Sequence, residues 1–500
     1  MKNSNLNQED DMKSKGIFLL FLIIVEILFP NLYGANIQVI KISDVVVDQK
    51  ALTIDGRYGQ HINGLAFQQD AVVTHKNYQY AAYYDALRHV CVARRKLPQG
   101  EWQIIRLTDY VFQGHDAHNV ISMGLCPKDG TIHLAFDHHG HPLHYRVSRK
   151  GVATDPEKVE WEPSLFGPVI SELEKGKPVK HLTYPRFLQT PGGAIQFYYR
   201  VGGSGGGDYV LIDYDPATTD TWQNTRIVNS GKGDFQDAFN KSPSRCAYEN
   251  GYDYGSGGRL HTTWVWREQT QGANHDIMYA FSDDLGKTWR NNKGEIVGNS
   301  NALPKDQKVI NINSPDITAV PITRAYGLMN TQAQAVDSRD RIHVVMWHCT
   351  DETIKAAKTQ PVECWGSPDA RRYHHYWRDE KGVWHHTMLP WVAGNRPKLF
   401  MDKNDNAFLI FNAMSSSDKL DWGIYFSKGS LVIAAATPET GWTDWKIIHT
   451  EKGPFLNEML GDIYLWKNEG ILSILVQQSP EKPCVPTPLR ILDFKFTQIE

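Results

Sequence analysis

A turn followed by an apolar, often aromatic strand recurs seven times along this 500-residue chain, and no other feature limits its fold as much. The copies read HKNYQYAAYYD (75–85), KDGTIHLAFDH (128–138), GGAIQFYYR (192–200) and GGRLHTTWVWR (257–267). They continue as SRDRIHVVMWH (338–348), KNDNAFLIFN (403–412) and NEGILSILVQQ (468–478). Each opens on Asn, Asp or Gly turn chemistry and runs into a strand pattern, as hairpins do. The spacing, roughly 55–80 residues, suits a small antiparallel sheet that buries its faces only against neighbouring copies. The expectation is an all-β, seven-bladed propeller. Helical periodicity is nearly absent, the best case being Ile170–Lys175.

The segment Ser282-Asp283-Asp284-Leu285-Gly286-Lys287-Thr288-Trp289 fits the S-x-D-x-G-x-T-W Asp box that marks sialidase-like (BNR) propeller blades. Its polar side chains staple a turn while the Trp packs beneath. It informs on fold and not on function. We therefore expect a single domain over residues 36–500. Ahead of it, the apolar run Ile17–Phe29 follows Lys13 and Lys15 and precedes Gly34-Ala35. That pattern predicts a secretory signal within residues 1–35, too short for a comfortable membrane span, and hence a periplasmic or secreted product without membrane insertion. The six cysteines are scattered, several in apolar runs where buried free thiols are the ordinary outcome. A net charge of −3 gives no basic surface for nucleic acid, so an acidic substrate must meet a few local cations.

Chemistry-bearing residues concentrate in the first half. Seven histidines fall within residues 115–144, among them His115, His118, His138 and His139, at a loop and a strand end. Tyr184 follows in TYPRF, Tyr199 and Arg200 close the third recurrent strand, and Arg245 and Tyr248 lie in SRCAYENGYDYG. Each has a plain structural alternative as turn, core or rim. A metal reading of the histidines also stays open, although they lack the helical spacing that puts two ligands on one face.

Glycoside hydrolases usually set two carboxylates across the scissile bond. Here Asp116 and Asp137 abut histidines and read as orienting partners. β-Elimination from a uronate needs a different set. A cation must neutralise the carboxylate, one group must take the C5 proton, and one must protonate the leaving oxygen on C4. Arg200 with histidines and a tyrosine meets that need.

These residues resemble the propeller polysaccharide lyases, closest to L-rhamnose-α-1,4-D-glucuronate lyases and more distantly to ulvan lyases. The resemblance rests on DAHNVISMGLCPKDGTIHLAFDHHGHPLHYRVS (116–148), TYPRFLQTPGGAIQFYYRVGGSGGGD (183–208) and ARRYHHYWRD (370–379), among others. It implies His118 as the proton-transfer residue, His138 and Arg200 as carboxylate neutralisers, and Tyr184 as acid or base. His115, His139, Tyr199, Arg245 and Tyr248 become substrate-binding candidates. The implied partner is an acidic plant or algal polysaccharide containing rhamnose and glucuronate, probed at a terminal rhamnose as in gum arabic.

Four alternatives stand beside this. An ulvan lyase would cut the same linkage inside a sulfated chain, which the absence of a strongly basic surface disfavours. An α-L-rhamnosidase from the same propeller group would use a histidine on the opposite face, for which His61 is the candidate. A non-catalytic glycan-binding propeller would bind without product. A sialidase fits worst, since no convincing set of three arginines with Tyr and Glu is found. No cofactor is required for the proton chemistry. The resemblance does allow a structural zinc at His275, Cys349, His374 and His375, or a calcium in the central channel. The oligomeric state is left open.

Overall fold

The computed structural model describes residues 36–56, 59–217, 221–270, 273–356, 370–413 and 428–499. The expected signal segment and Cys364 lie outside these residues. The seven recurrent strands are Tyr78–Tyr84, Ile132–Phe136, Ile195–Gly203, Leu260–Glu268, Ile342–Cys349, Ala407–Ala413 and Ile471–Gln478. Each is hydrogen-bonded between an earlier and a later strand of an antiparallel sheet. Tyr78–Tyr84, Ile132–Phe136 and Ile342–Cys349 are buried at every position. Near-continuous apolar runs of this length suit strands covered on both faces.

The last two recurrences share one seven-stranded sheet, joined through the long Lys446–Gly461 strand. Its register breaks between Leu456 and Leu460, so its two halves serve different neighbours. In that sheet the first described strand, Asn36–Ala51, pairs antiparallel with the last, Thr487–Ile499, from Asn36 opposite Ile499 to Ala51 opposite Thr487. The chain then passes to the first recurrent strand, where the Leu52 N–H donates to the Tyr84 carbonyl at 2.9 Å.

The Ile170–Lys175 stretch is not helical; Ile170 bridges Tyr145 and Glu172 bridges Pro178. The described α-helices are Asp351–Ala356 and Ile463–Glu469. The second is capped at its start by Asp462, which accepts from the Tyr464 and Leu465 N–H groups, and ended by Gly470 in the left-handed region. Cys91, Cys126, Cys246 and Cys349 are buried free thiols and Cys484 is an exposed one.

The Asp box forms as a staple. Asp284 accepts from the Ser282 hydroxyl at 2.8 Å and from the Thr288 N–H and hydroxyl at 2.7 and 2.8 Å. Gly286 supplies the positive φ, +79°, and buried Trp289 donates to its carbonyl at 3.1 Å. Replacing Asp284 with Ala strands these donors, so Asp284→Ala should lower unfolding stability by about 1–3 kcal/mol in urea titrations. A change under about 0.5 kcal/mol, the level of an unremarkable surface substitution, would contradict the staple.

Candidate active site

The chemistry-bearing residues sit at the C-terminal ends of the second and third recurrent strands and on the loops beside them. The Ile132–Phe136 strand runs directly into Asp137, His138 and His139, and the Ile195–Gly203 strand carries Arg200. The Leu182–Gln189 strand joins them, pairing Thr183 with both His139 and Arg200. Its register then slips: Arg186 pairs with Tyr198, so Tyr184 and Pro185 together oppose Tyr199. Pro185 has no N–H to give a ladder, and Tyr184 takes φ +56°, a conformation a tyrosine rarely adopts. Such bulges re-aim a side chain. Here the Tyr184 ring lands on Phe67, with centroids 4.6 Å apart and planes at 18°.

Arg200 is fully buried. Its guanidinium lies over the faces of Tyr184 and Tyr248, 4.8 and 4.9 Å from their centroids, and one arm reaches the Cys246 sulfur at 3.4 Å. Its Nε has no hydrogen-bond partner, and no carboxylate is bonded to it among the described residues. Three other buried arginines are paired with carboxylates, Arg245 with Glu268, Arg396 with Glu458 and Arg95 with Asp493, whereas buried Arg186 and Arg94 have none among the described residues and, unlike Arg200, donate to main-chain carbonyls. A buried cation lacking its anion is a binding group for one.

His118 packs on Phe67 at 4.8 Å and lies 6.0 Å from the Tyr184 ring. Burial first, then the charges of His139 and Arg396, pulls its pKa down to about 4 against an opposing hydrogen bond to Asp116. The imidazole is therefore neutral at neutral pH. Burial pushes Asp116 upward, yet the hydrogen bonds from His118 and His139 hold it well below the usual carboxylate range. His138 is buried, and burial keeps it neutral. Its Nε2 accepts from the His144 N–H at 2.8 Å, which puts the proton on Nδ1, a buried donor with no partner among the described residues.

The structure thus brings His118, His139, Tyr184, Arg200 and Tyr248 together, with His138 beside His139 in sequence and facing His144. The other candidates lie elsewhere. His115 is exposed on the loop leading to His118. Tyr199 points to the opposite strand face from Arg200 and packs on Phe197 at 5.4 Å. Arg245 is saturated by Glu268 at 2.7 Å and by main-chain carbonyls. His61 is fully buried, with neither ring nitrogen bonded among the described residues. Burial and then the charges of Arg396 and His118 lower its pKa to about 3, so it backs onto the His118 group.

The four zinc candidates are not gathered. His275 bonds Glu268 and Asp276 at 3.0 Å each. His374 joins His386 at 2.9 Å and stacks on His348, while His375, on the other strand face, joins His343 at 3.0 Å. Cys349 is buried at the end of its strand. Asp116, His118 and His139 have ligating atoms within 4.8 Å of one another. Their contacts of 2.6 and 2.7 Å are those of N–H groups donating to a carboxylate, which leaves no nitrogen lone pair pointing at that centre. For calcium, the cavity of about 130 Å³ lined by Asp70 and Asp253 is lined also by Lys398 and Lys467, a mixed set rather than an all-oxygen cage. Phe67, Cys246 and Arg396 belong to the site and escaped sequence reasoning. Cys246 was within reach, because a period of two puts it on the same strand face as Tyr248.

With this geometry in view, the comparisons with known proteins are consistent with one another. A family model described as BNR repeat-containing family member matches residues 78–391, and the chain belongs to that family. A long-isoform ulvan lyase of Pseudoalteromonas sp. (strain PLSV) is 28% identical over 276 residues, covering 45% of this chain and 26% of that protein. One from Alteromonas sp. (strain LOR) is 25% identical over 329 residues, covering 53% and 32%. The chain thus spans about a quarter to a third of the length of these relatives. Among solved structures, the polysaccharide lyase Uly1 superposes with a TM-score of 0.63 at 19% identity, covering 91% of this chain and all of that one. A PL25 ulvan lyase bound to -[GlcA(1-4)Rha3S]- gives 0.62 at 13% identity, covering 91% and 96%. The chain shares the fold of these two structures.

Because Arg245 neutralises a buried carboxylate and Arg200 does not, their removal should differ in cost. Arg245→Met should destabilise by about 3–5 kcal/mol, and Arg200→Met by at least about 2 kcal/mol less. Urea unfolding of the two variants checks this; equal losses would contradict the unpaired state of Arg200.

Proposed function

We propose that this protein is a polysaccharide lyase that cleaves the rhamnose-α-1,4-glucuronate linkage by β-elimination, acting on terminal rhamnose. The observation that carries this reading is the carboxylate-free guanidinium of Arg200 beside a phenol and a neutral imidazole. A uronate carboxylate seated on Arg200, with the His138 Nδ1–H as a second donor, has its charge neutralised, which acidifies C5. The neutral His118 takes the C5 proton, the C4=C5 double bond forms, and the C4–O bond breaks. Tyr184 gives the leaving oxygen its proton. The products are free rhamnose and an unsaturated glucuronate. Tyr248, across Arg200 from Tyr184, supplies a wall for the sugar ring.

The relatives named ulvan lyases support the same linkage class, and they also favour a second substrate, internal sulfated rhamnose–glucuronate chains. The hydrolase alternative, which would use a histidine on the opposite face, gains no support at His61, on which the charges of Arg396 and His118 act. For the fold, we propose that the sheets close into a seven-bladed ring. The cavity described above supports this, since it is lined by Asp70, Gln189, Asp253, Gln334, Lys398 and Tyr464 from successive parts of the chain. Export through the N-terminal segment completes the proposal and suits a polymeric substrate.

The deciding experiment incubates the protein with gum arabic and, separately, with ulvan, following free rhamnose and the ultraviolet absorbance of unsaturated uronate. Both products from gum arabic are expected, with His118→Ala and Arg200→Met each lowering kcat/KM by about 10²-fold or more. Rhamnose released without absorbance would mean hydrolysis, and absorbance from ulvan alone would mean an internal cutter. The neutral form of His118 does the work, so protonation at low pH removes activity. With its pKa pulled down to about 4, kcat/KM should hold from neutrality to mildly acidic pH and fall with a midpoint near that value. A midpoint at the ordinary histidine value would contradict the buried, neutral imidazole.

A further inference from the structure

Asp116 is shared by two histidines from different elements. Its Oδ1 accepts from the His118 Nδ1–H at 2.6 Å and from the His118 main-chain N–H at 2.9 Å, while Oδ2 accepts from the His139 Nδ1–H at 2.7 Å. The two rings lie face to face, 4.3 Å apart at 17°. His118 comes from the loop before the Ile121–Leu125 strand, and His139 from the short strand paired with Thr183, next to Tyr184. The His118 side chain is 8% exposed and that of His139 28%, so the pair runs from the interior toward solvent.

An ionised carboxylate only accepts hydrogen bonds. Each nitrogen facing Asp116 therefore carries the hydrogen, and in the neutral ring the lone pair resides on Nε2. A base in the other tautomer would present N–H to the C5 proton and could not take it. We infer that Asp116 is a positioning residue that sets both imidazoles in the Nδ1–H tautomer, and that His139 tunes the basicity of His118 through this shared carboxylate. This deepens the elimination reading and rests on it for its catalytic meaning.

The charge of His139 acts on the stacked face of His118 and lowers its pKa, while both rings draw on the same carboxylate. Among the described residues, the titratable and charged groups facing His118 include Asp116, His139, Tyr184, His61 and Arg396. Those facing His139 include Asp116, His118, Tyr184 and His141. Asp116 contacts both rings through a ring nitrogen.

The test uses the full chain with isotope-labelled histidine, read by NMR without substrate and assigned through His118→Gln and His139→Gln. Both rings should show the Nδ1–H tautomer, and Asp116→Asn should move His118 toward Nε2–H. Wild-type rings in the Nε2–H form would overturn the positioning role. In His139→Gln the titration midpoint of His118 should rise, and an unmoved midpoint would overturn the tuning. On substrate, Asp116→Asn should lower kcat by about 10²–10⁴-fold, as loss of a tautomer-setting carboxylate does elsewhere. KM should change little, and Asp116→Glu should recover part of the loss. If the wild type makes no unsaturated product, the elimination reading fails while the tautomer and titration results still decide the roles of Asp116 and His139. Thermal unfolding of Asp116→Asn guards against misfolding, and His139→Gln leaves Asp116 and its bond to His118 in place.

Discussion

Arg200 enters the interior on a strand whose opposite face is packed aromatic core, and no carboxylate of the described residues is bonded to it there. Taking a guanidinium out of water costs several kcal/mol when nothing repays it. Two aromatic faces and a thiol offset part of that cost, at about 0.5–2 kcal/mol for each ring. The neighbours are arranged around this uncompensated charge. The Tyr184 bulge brings one phenol over it, and the alternation of the Arg245–Tyr254 strand places Cys246 and Tyr248 on its other side. Neutralising Arg200 internally, as Glu268 neutralises Arg245, would stabilise the fold and remove the anion site.

The acid–base half of the site solves the opposite problem. An imidazole that is to accept a proton must be uncharged and must present the right nitrogen. Burial against Phe67 makes the first condition hold, and Asp116 the second. The low-dielectric surroundings that keep His118 neutral also strengthen the field of Arg200 on the far side of Tyr184, so both functions draw on the exclusion of water. Phe67 links the two halves, touching His118, Tyr184 and the Arg396 guanidinium.

Much of this was readable before any coordinates. The seven strands announced themselves because turn chemistry and apolar runs are local properties, and Tyr184, Arg200 and His118 were singled out by type and position. What local patterns do not carry is which face of a strand a side chain takes and what stands across from it. Tyr199 and Arg200 are adjacent, yet one packs in the core and the other meets the site, because a strand alternates. Arg245 reads like Arg200 until Glu268, on the partner strand, is seen to pair with it. His275, Cys349, His374 and His375 have the composition of a zinc set and are separated by strand faces and by distance along the sheets. Phe67 lies far from Tyr184 in sequence, and only the tertiary fold stacks them. The helix Ile463–Glu469 was short enough to be lost among strands, although Asp462 and Gly470 marked its ends.

The central claim is that Arg200 is the seat of a sugar carboxylate. Its most direct test is a crystal structure of the His118→Ala variant, inactive by design, soaked with a rhamnosyl-glucuronate oligosaccharide. The uronate carboxylate should lie on the Arg200 guanidinium between Tyr184 and Tyr248, with C5 facing the position vacated by the imidazole. A glycan bound with its carboxylate elsewhere, and Arg200 still without an anion, would contradict that claim.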